Sequence, residues 1–149
     1  MLTLRKATAR DSDLLYEWRN DPITRRSSHD TSEIARERHE RWLAASLENS
    51  RRQIFIAEEH ERLVGTVRVD HGPDGTAELS WTVAPDARGK GVATRMVRRV
   101  ADEISGKCPV RAEVKAGNHA SVKVANAAGM HLVNEGRDVL HFYRAASPE

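Results

Sequence analysis

Two glycines bracket a lysine in Arg88-Gly89-Lys90-Gly91, and the chemistry such a group does best is to hold an anion. The alternating run Ala77-Glu78-Leu79-Ser80-Trp81-Thr82-Val83 leads into it as a strand. Val92, Met96, Val100 and Ile104 recur every fourth residue and lead out of it as a helix. Glycine lets the backbone turn its N–H groups inward, here at a helix N-terminus where the partial charge is positive. Arg88 and Lys90 add formal charge. A phosphate or pyrophosphate is the anion this junction favours, so the stretch is expected to bind a phosphorylated cofactor for a transfer reaction.

The elements that must position this group fit one domain over residues 1–149. A chain of 149 residues buries about two-thirds of its surface, and no Pro/Ser/Gly-rich linker divides it. With 39% hydrophobic and 31% charged residues, the composition is that of a soluble globular protein. Its 24 Lys and Arg meet 22 Asp and Glu, a net charge of +2, so nucleic acid is not an expected partner. Cys108 stands alone and cannot form an internal disulfide, which points to an intracellular setting. The N-terminus reaches Arg5 and Lys6 without the apolar core of a signal peptide, and no apolar run approaches membrane-spanning length. A cytoplasmic protein with no membrane partner is expected. The seven histidines show no ligand spacing, so no metal is expected.

In chain order, Leu2 to Ala7 reads as a strand. Thr8 and Asp11 have the spacing of a capping box, ahead of a helix bearing Leu14, Leu15 and Trp18. That helix stops at Asn20-Asp21-Pro22, because Pro22 disfavours helix at the residue before it. Residues 23–31 read as a polar turn. A second helix is expected from Ser32 to about Leu47, with Ile34, Ala35, Trp42, Leu43 and Leu47 on its apolar face. Strands at 53–57, 63–70 and 77–83, joined by short turns, make an antiparallel meander. The helix after the glycines leads to a strand at 109–115, a crossover that places two strands parallel. A short helix from Asn118 to Ala128, closed by Gly129, and strands at 130–133 and 139–143 complete the chain. The order is β-α-α-β-β-β-α-β-α-β-β, an α/β fold on a mixed, mostly antiparallel sheet.

Arg88-Gly89-Lys90-Gly91-Val92-Ala93 resembles the R/Q-x-x-G-x-G/A cofactor motif of the GNAT superfamily of acetyl-CoA-dependent N-acetyltransferases. Asn118-His119-Ala120-Ser121 with Gly129-Met130 is similar to that family's downstream element, and the order of elements agrees over nearly the whole chain. Trp18-Arg19-Asn20-Asp21, Arg25-Arg26 and Glu37-Arg38-His39-Glu40-Arg41-Trp42 resemble the branch that acetylates nucleotide-linked amino sugars in pseudaminic-acid biosynthesis. The second half also resembles the acetyltransferases of ribosomal-protein N-termini. The resemblance implies an enzyme that moves acetyl from acetyl-CoA to a small-molecule primary amine, first of all an amino-sugar nucleotide. Protein N-termini and aminoglycosides are the other acceptors, and a non-catalytic acyl-CoA-binding module is the alternative of another class. Homodimerisation stays open.

Direct attack on a thioester needs a proton acceptor for the amine, donors for the oxyanion and, at most, an acid for the thiolate. Glu78 and Glu113 lie on the polar sides of their strands, at positions where the resemblance places a base; each also reads, and more simply, as a solvated carboxylate pairing with Arg111, Lys115 or Arg68. The acid departs from the family pattern, with Ala125 where many relatives carry Tyr. Ser121 fills a position some relatives use, and otherwise reads as a first-turn residue bonded to backbone. By resemblance, the amides of Trp81, Thr82 and Val83 serve the pantetheine arm and oxyanion, while Arg88, Gly89, Lys90, Gly91, Val92, Ala93 and Asn118 hold the cofactor. Asn118 reads as well as a helix N-cap. Trp18, Asn20, Arg25 and His39 are the expected acceptor contacts. His39 also reads as a semi-buried structural histidine, and Arg25 and Arg26 as solvated loop cations.

Overall fold

The computed structural model describes residues 1–147. Strand β1 (Thr3–Lys6) is followed by a 3-10 turn (Ala9–Asp11) and helices α1 (Ser12–Asn20), α2 (Pro22–Ser27) and α3 (Arg36–Glu48). Strands β2 (Arg52–Glu59), β3 (Arg62–His71) and β4 (Ala77–Val83) come next, then a 3-10 turn (Pro85–Ala87) and α4 (Val92–Ser105). The chain ends in β5 (Val110–Lys115), α5 (His119–Ala127), β6 (His131–Glu135) and β7 (Val139–Arg144). The sheet order is β1-β2-β3-β4-β5-β7-β6. Among the described residues only β4 and β5 pair in parallel, so the expected fold class stands, with one helix more than the sequence announced.

Alternation along β3 assigns the two faces of the sheet. Gly65 meets α4: a Cβ there would lie 2.8 Å from Met96 Sδ and 2.9 Å from the Thr82 carbonyl oxygen, so only glycine admits this approach. Val67, Val69 and Leu79 share that face, and Met96, Val97, Val100 and Ala101 of α4 are buried with them in one core. Thr66, Arg68 and Asp70 point to the other face, where α1 and α3 lie. Register then places Thr82, Ser80 and Glu78 beside them. Helix α4 thus covers one face while the polar residues of β3 and β4 look into the other.

The first turn is held as its spacing requires. The Thr8 N–H donates to Asp11 Oδ2 at 2.8 Å, Thr8 Oγ1 accepts from the Arg10 N–H, and Arg5 forks onto the same carboxylate at 2.8 and 2.9 Å. The hydrogen bonds from Arg5 hold the Asp11 carboxyl below its usual range, against the opposing effect of burial and with help from Thr8. A depressed carboxylate stabilises the fold above its unfolded pKa and loses that effect as pH falls through its folded one. Asp11→Ala is therefore expected to lower stability at neutral pH by about 1–2 kcal/mol, as for a lost cap. Denaturant titration should show the gap between variant and parent shrinking below about pH 4.

Three expectations need correction. Residues 23–31 are not all turn. Asp21 accepts the N–H groups of Ile23 and Thr24 through Oδ2, and Pro22 occupies the first helical position, so Asp21-Pro22 starts α2 as well as ending α1. Helix α3 begins at Arg36 rather than Ser32, because Asp30 draws the Ser32 N–H and hydroxyl into a local turn. Of the expected apolar face of α3, Leu47 and Ala35 are exposed; Leu43, His39 and Ser46 are what it buries.

Candidate active site

Strands β4 and β5 pair at only two positions, Ala77 with Val110 and Glu78 with Arg111, and then part. Each keeps its outer neighbour, β3 and β7, so the edges that face one another from Leu79 and Ala112 onward carry backbone groups without strand partners. Such edges invite an extended ligand that pairs like a strand. The opening widens into a cleft of about 830 Å³, lined by Leu79 to Val83 on one side and Glu113 to Lys115 on the other.

At its mouth stands the N-terminus of α4. Gly89 and Gly91 take φ of +77° and +73°, and Gly91 caps the helix without a side chain. The first bond back to the cap runs from the Arg95 N–H to the Gly91 carbonyl, which leaves the N–H groups of Val92, Ala93 and Thr94 without helical partners. A Cβ on Gly89 would meet nothing within 4 Å, so the left-handed backbone, not crowding, is what requires glycine there. Open donors, a helix dipole and unpaired strand edges fit a long phosphorylated cofactor.

The two cations of this loop serve otherwise than expected. Arg88 lines the cleft but gives its guanidinium to Asp21, the cap of α2, and to Thr24 Oγ1 at 3.1 Å. Burial alone would raise the Asp21 carboxyl; the bonds from Arg88, Thr24 and Ile23 hold it low. Lys90 is exposed and outside the lining, and its carbonyl accepts from Arg95 Nη1 at 2.8 Å. Arg95 and Arg99 of α4 are also tied down within the protein. They reach Glu59 Oε1 at 2.7 Å and the Leu2 carbonyl at 2.6 Å. Backbone donors, with Arg88 tied to α2, dominate the cradle.

Helix α2 and the residues after it tie down to both walls. Besides the Asp21–Arg88 pair, Lys115 Nζ donates to the Arg26 carbonyl at 2.9 Å, and His29 Nε2 lies 3.6 Å from Glu113 Oε2. Of the candidate bases, Glu113 lines the cleft and also approaches His141 Nδ1 at 3.7 Å. Glu78 does not line it. It faces a second cavity of about 370 Å³, which Glu113 also lines, and accepts from Arg111 Nε at 3.2 Å. Ser121 lines the cleft, and Asn118 does so while capping α5 through Oδ1 on the Ser121 N–H. Ala125 is fully buried and Tyr143 faces the second cavity, which leaves Ser121 as the hydroxyl of α5 at the site.

Among the expected acceptor contacts, Trp18, Arg25 and His39 line the cleft and Asn20 does not. Asn20 gives both ends of its amide to Ile34, at 2.9 Å each, and so fastens the chain before α3 to α1. His39 is fully buried between Tyr16 and Trp42, with ring centroids 5.4 and 6.0 Å away. Its Nε2–H donates to the Ser12 carbonyl at 3.0 Å, and Nδ1 has no partner among the described residues. Burial pushes its pKa below the ordinary value, against the pull of the Ser12 carbonyl. A histidine buried neutral binds fewer protons folded than unfolded, so stability should fall as pH drops below about 6.5. Thermal unfolding of His39→Asn against the parent is expected to show a flatter slope in that window. The residues missed at this end are Arg19, Thr66, Arg68 and Ser80, all in the lining. Alternation was the signal for Thr66 and Arg68 in β3 and for Ser80 in β4, and the Trp18-to-Asp21 run was the signal for Arg19 in α1.

A family profile for the acetyltransferase (GNAT) domain matches residues 1–131. The chain belongs to the GNAT family of acetyltransferases. No curated protein matches the sequence. Among solved structures it is similar to spermidine N-acetyltransferase from Vibrio cholerae in complex with CoA and spermine. That match has 20% identity and a TM-score of 0.85, covering 97% of this chain and 95% of that one. Ribosomal-protein-alanine N-acetyltransferase from Brucella melitensis aligns at 20% identity and TM-score 0.80 over 96% and 99% of the chains. An N-acetyltransferase from Staphylococcus aureus Mu50 does so at 22% and 0.79 over 99% of each. None of these three is described as an amino-sugar-nucleotide enzyme. The signature that suggested that branch is largely absorbed by the fold, with Asn20 on Ile34, Asp21 capping α2 and His39 on Ser12. Among the described residues no helix is long and apolar enough to cross a membrane, and no three His, Cys, Asp or Glu side chains group as a metal site.

Proposed function

We propose that this chain moves the acetyl group of acetyl-CoA to a primary amine by direct attack, with a nucleotide-linked amino sugar as the acceptor. The observation that carries the reading is the parting of β4 from β5 at the N-terminus of a helix capped only by Gly91. Acetyl-CoA supplies the activated thioester when bound. The N–H groups from Gly89 to Thr94 hold its pyrophosphate, and the open edge at Trp81, Thr82 and Val83 takes its pantetheine amides and the oxyanion. Glu113, on the opposite wall, takes a proton from the bound ammonium, directly or through one water, and so frees the amine to attack. Ser121 Oγ is the donor available to the leaving sulfur.

Spermidine, aminoglycoside and ribosomal-protein acetyltransferases among the structural relatives supply the competing acceptors. Thiol release from acetyl-CoA, measured against amino-sugar nucleotides, aminoglycosides, spermidine and peptide N-termini, separates them. Fastest release with amino-sugar nucleotides is expected. Bound acetyl-CoA with no release on any amine would overturn the enzyme reading and leave an acyl-CoA-binding module.

A further inference from the structure

The inner end of the cleft is charged in a way that selects its ligand. Arg19 of α1 lies with its guanidinium carbon 4.8 Å from the Trp42 ring centroid, and Arg52 and Arg68 approach the same ring at 5.8 Å. Arg52 and Arg68 share one carboxylate, Asp70, at 2.6 and 2.9 Å. Arg19 makes no hydrogen bond or ion pair among the described residues. Burial lowers its pKa, and the nearby charges of Arg68, Arg38 and Arg52 lower it further, opposed by Asp30. Asp70 is taken by Arg52 and Arg68, and Arg19, which lines the cleft with Arg68, has no carboxylate in direct contact. A partly buried cation without a counter-ion is costly, and an anion brought by a ligand relieves that cost. The fully buried His39, lining the same end, keeps an unpartnered Nδ1 that accepts but does not donate.

We infer that Arg19 and Arg68 form an anion-recognising subsite, so that the acceptor amine carries a phosphate group. The inference rests on the acetyl-transfer reading and deepens it, since it names the acceptor by charge. The planar forks of the two arginines suit phosphate oxygens, while a polyamine would bring like charge to the same end. The acceptor is then oriented with its anion against Trp42 and its amine toward Glu113.

The test is equilibrium binding to the coenzyme A-saturated protein, which keeps the cofactor's own phosphate site filled. Glucosamine 6-phosphate, glucosamine, inorganic phosphate and spermidine are the probes. Glucosamine 6-phosphate is expected to bind about tenfold or more tighter than glucosamine, with spermidine weakest. Arg19→Ala should bring that ratio close to one, and Arg19→Lys should keep part of it, as a point charge in place of a fork. Unchanged coenzyme A affinity and thermal unfolding show that the variants fold. Spermidine binding as tightly as the phosphate probe overturns the subsite. So does a ratio that survives Arg19→Ala, or absence of binding by both phosphate and glucosamine 6-phosphate. If the phosphate preference holds but no amine releases thiol, the transfer reading falls and the subsite stands. Turnover of amines without any phosphate preference gives the reverse.

Discussion

Gly91→Glu is expected to weaken acetyl-CoA binding by about 100-fold or more, measured by calorimetry. The substitution adds a negative charge at the cap of α4, beside the N–H groups of Val92, Ala93 and Thr94 that would hold the pyrophosphate. It thereby opposes the helix dipole at the point where an anion docks. Two decades of affinity correspond to about 2.7 kcal/mol, a reasonable sum for lost dipole attraction plus new repulsion. Backbone strain is a separate effect. Gly91 sits at φ +73°, where any other residue costs about 1–2 kcal/mol, and a Cβ would lie 3.2 Å from Arg95 Nη1. Gly91→Ala carries the strain without the charge, so it should lose stability while keeping most of the affinity. Equal affinity loss in both variants would assign the effect to folding.

Glu113→Gln is expected to lower kcat by about 10²–10⁴-fold with acetyl-CoA affinity retained, the range for a lost general base. The carboxylate lines the cleft within 3.6 Å of His29 and 3.7 Å of His141, so its replacement removes a proton acceptor without emptying a core position. Glu78→Gln should leave kcat within a few-fold of the parent, because that side chain lies in the second cavity against Arg111. The pair of variants divides one question cleanly. A large loss in Glu78→Gln with a small one in Glu113→Gln would reverse the assignment.

What the sequence made legible was local. The strand, the two glycines and the four-residue period of α4 all lie between Ala77 and Ile104, and the structure places them as read. The capping box at Thr8 and Asp11 was equally visible, since both partners lie in one turn. What the sequence did not show lies where a side chain's partner is distant in the chain. Arg88 was assigned to the cradle, yet its partner Asp21 lies 67 residues earlier, and no spacing rule links them. Glu78 and Glu113 share a face and looked alike, and only the parting of β4 from β5 puts one in the cleft and the other beside Arg111. Asp21-Pro22 was read for its stop signal alone, although the same two residues start α2. The cationic end around Trp42 was hidden because Arg19, Arg52 and Arg68 come from three elements and meet only in the fold.

Amide hydrogen exchange with and without acetyl-CoA tests the central claim most directly, because it reads the backbone donors themselves. Saturating acetyl-CoA is expected to slow exchange at residues 79–83, on the open edge of β4, and at 89–94, the start of α4, while the far edge at β6 is unaffected. Protection confined to other segments, or none at saturation, would contradict a cofactor held in the parting of β4 and β5.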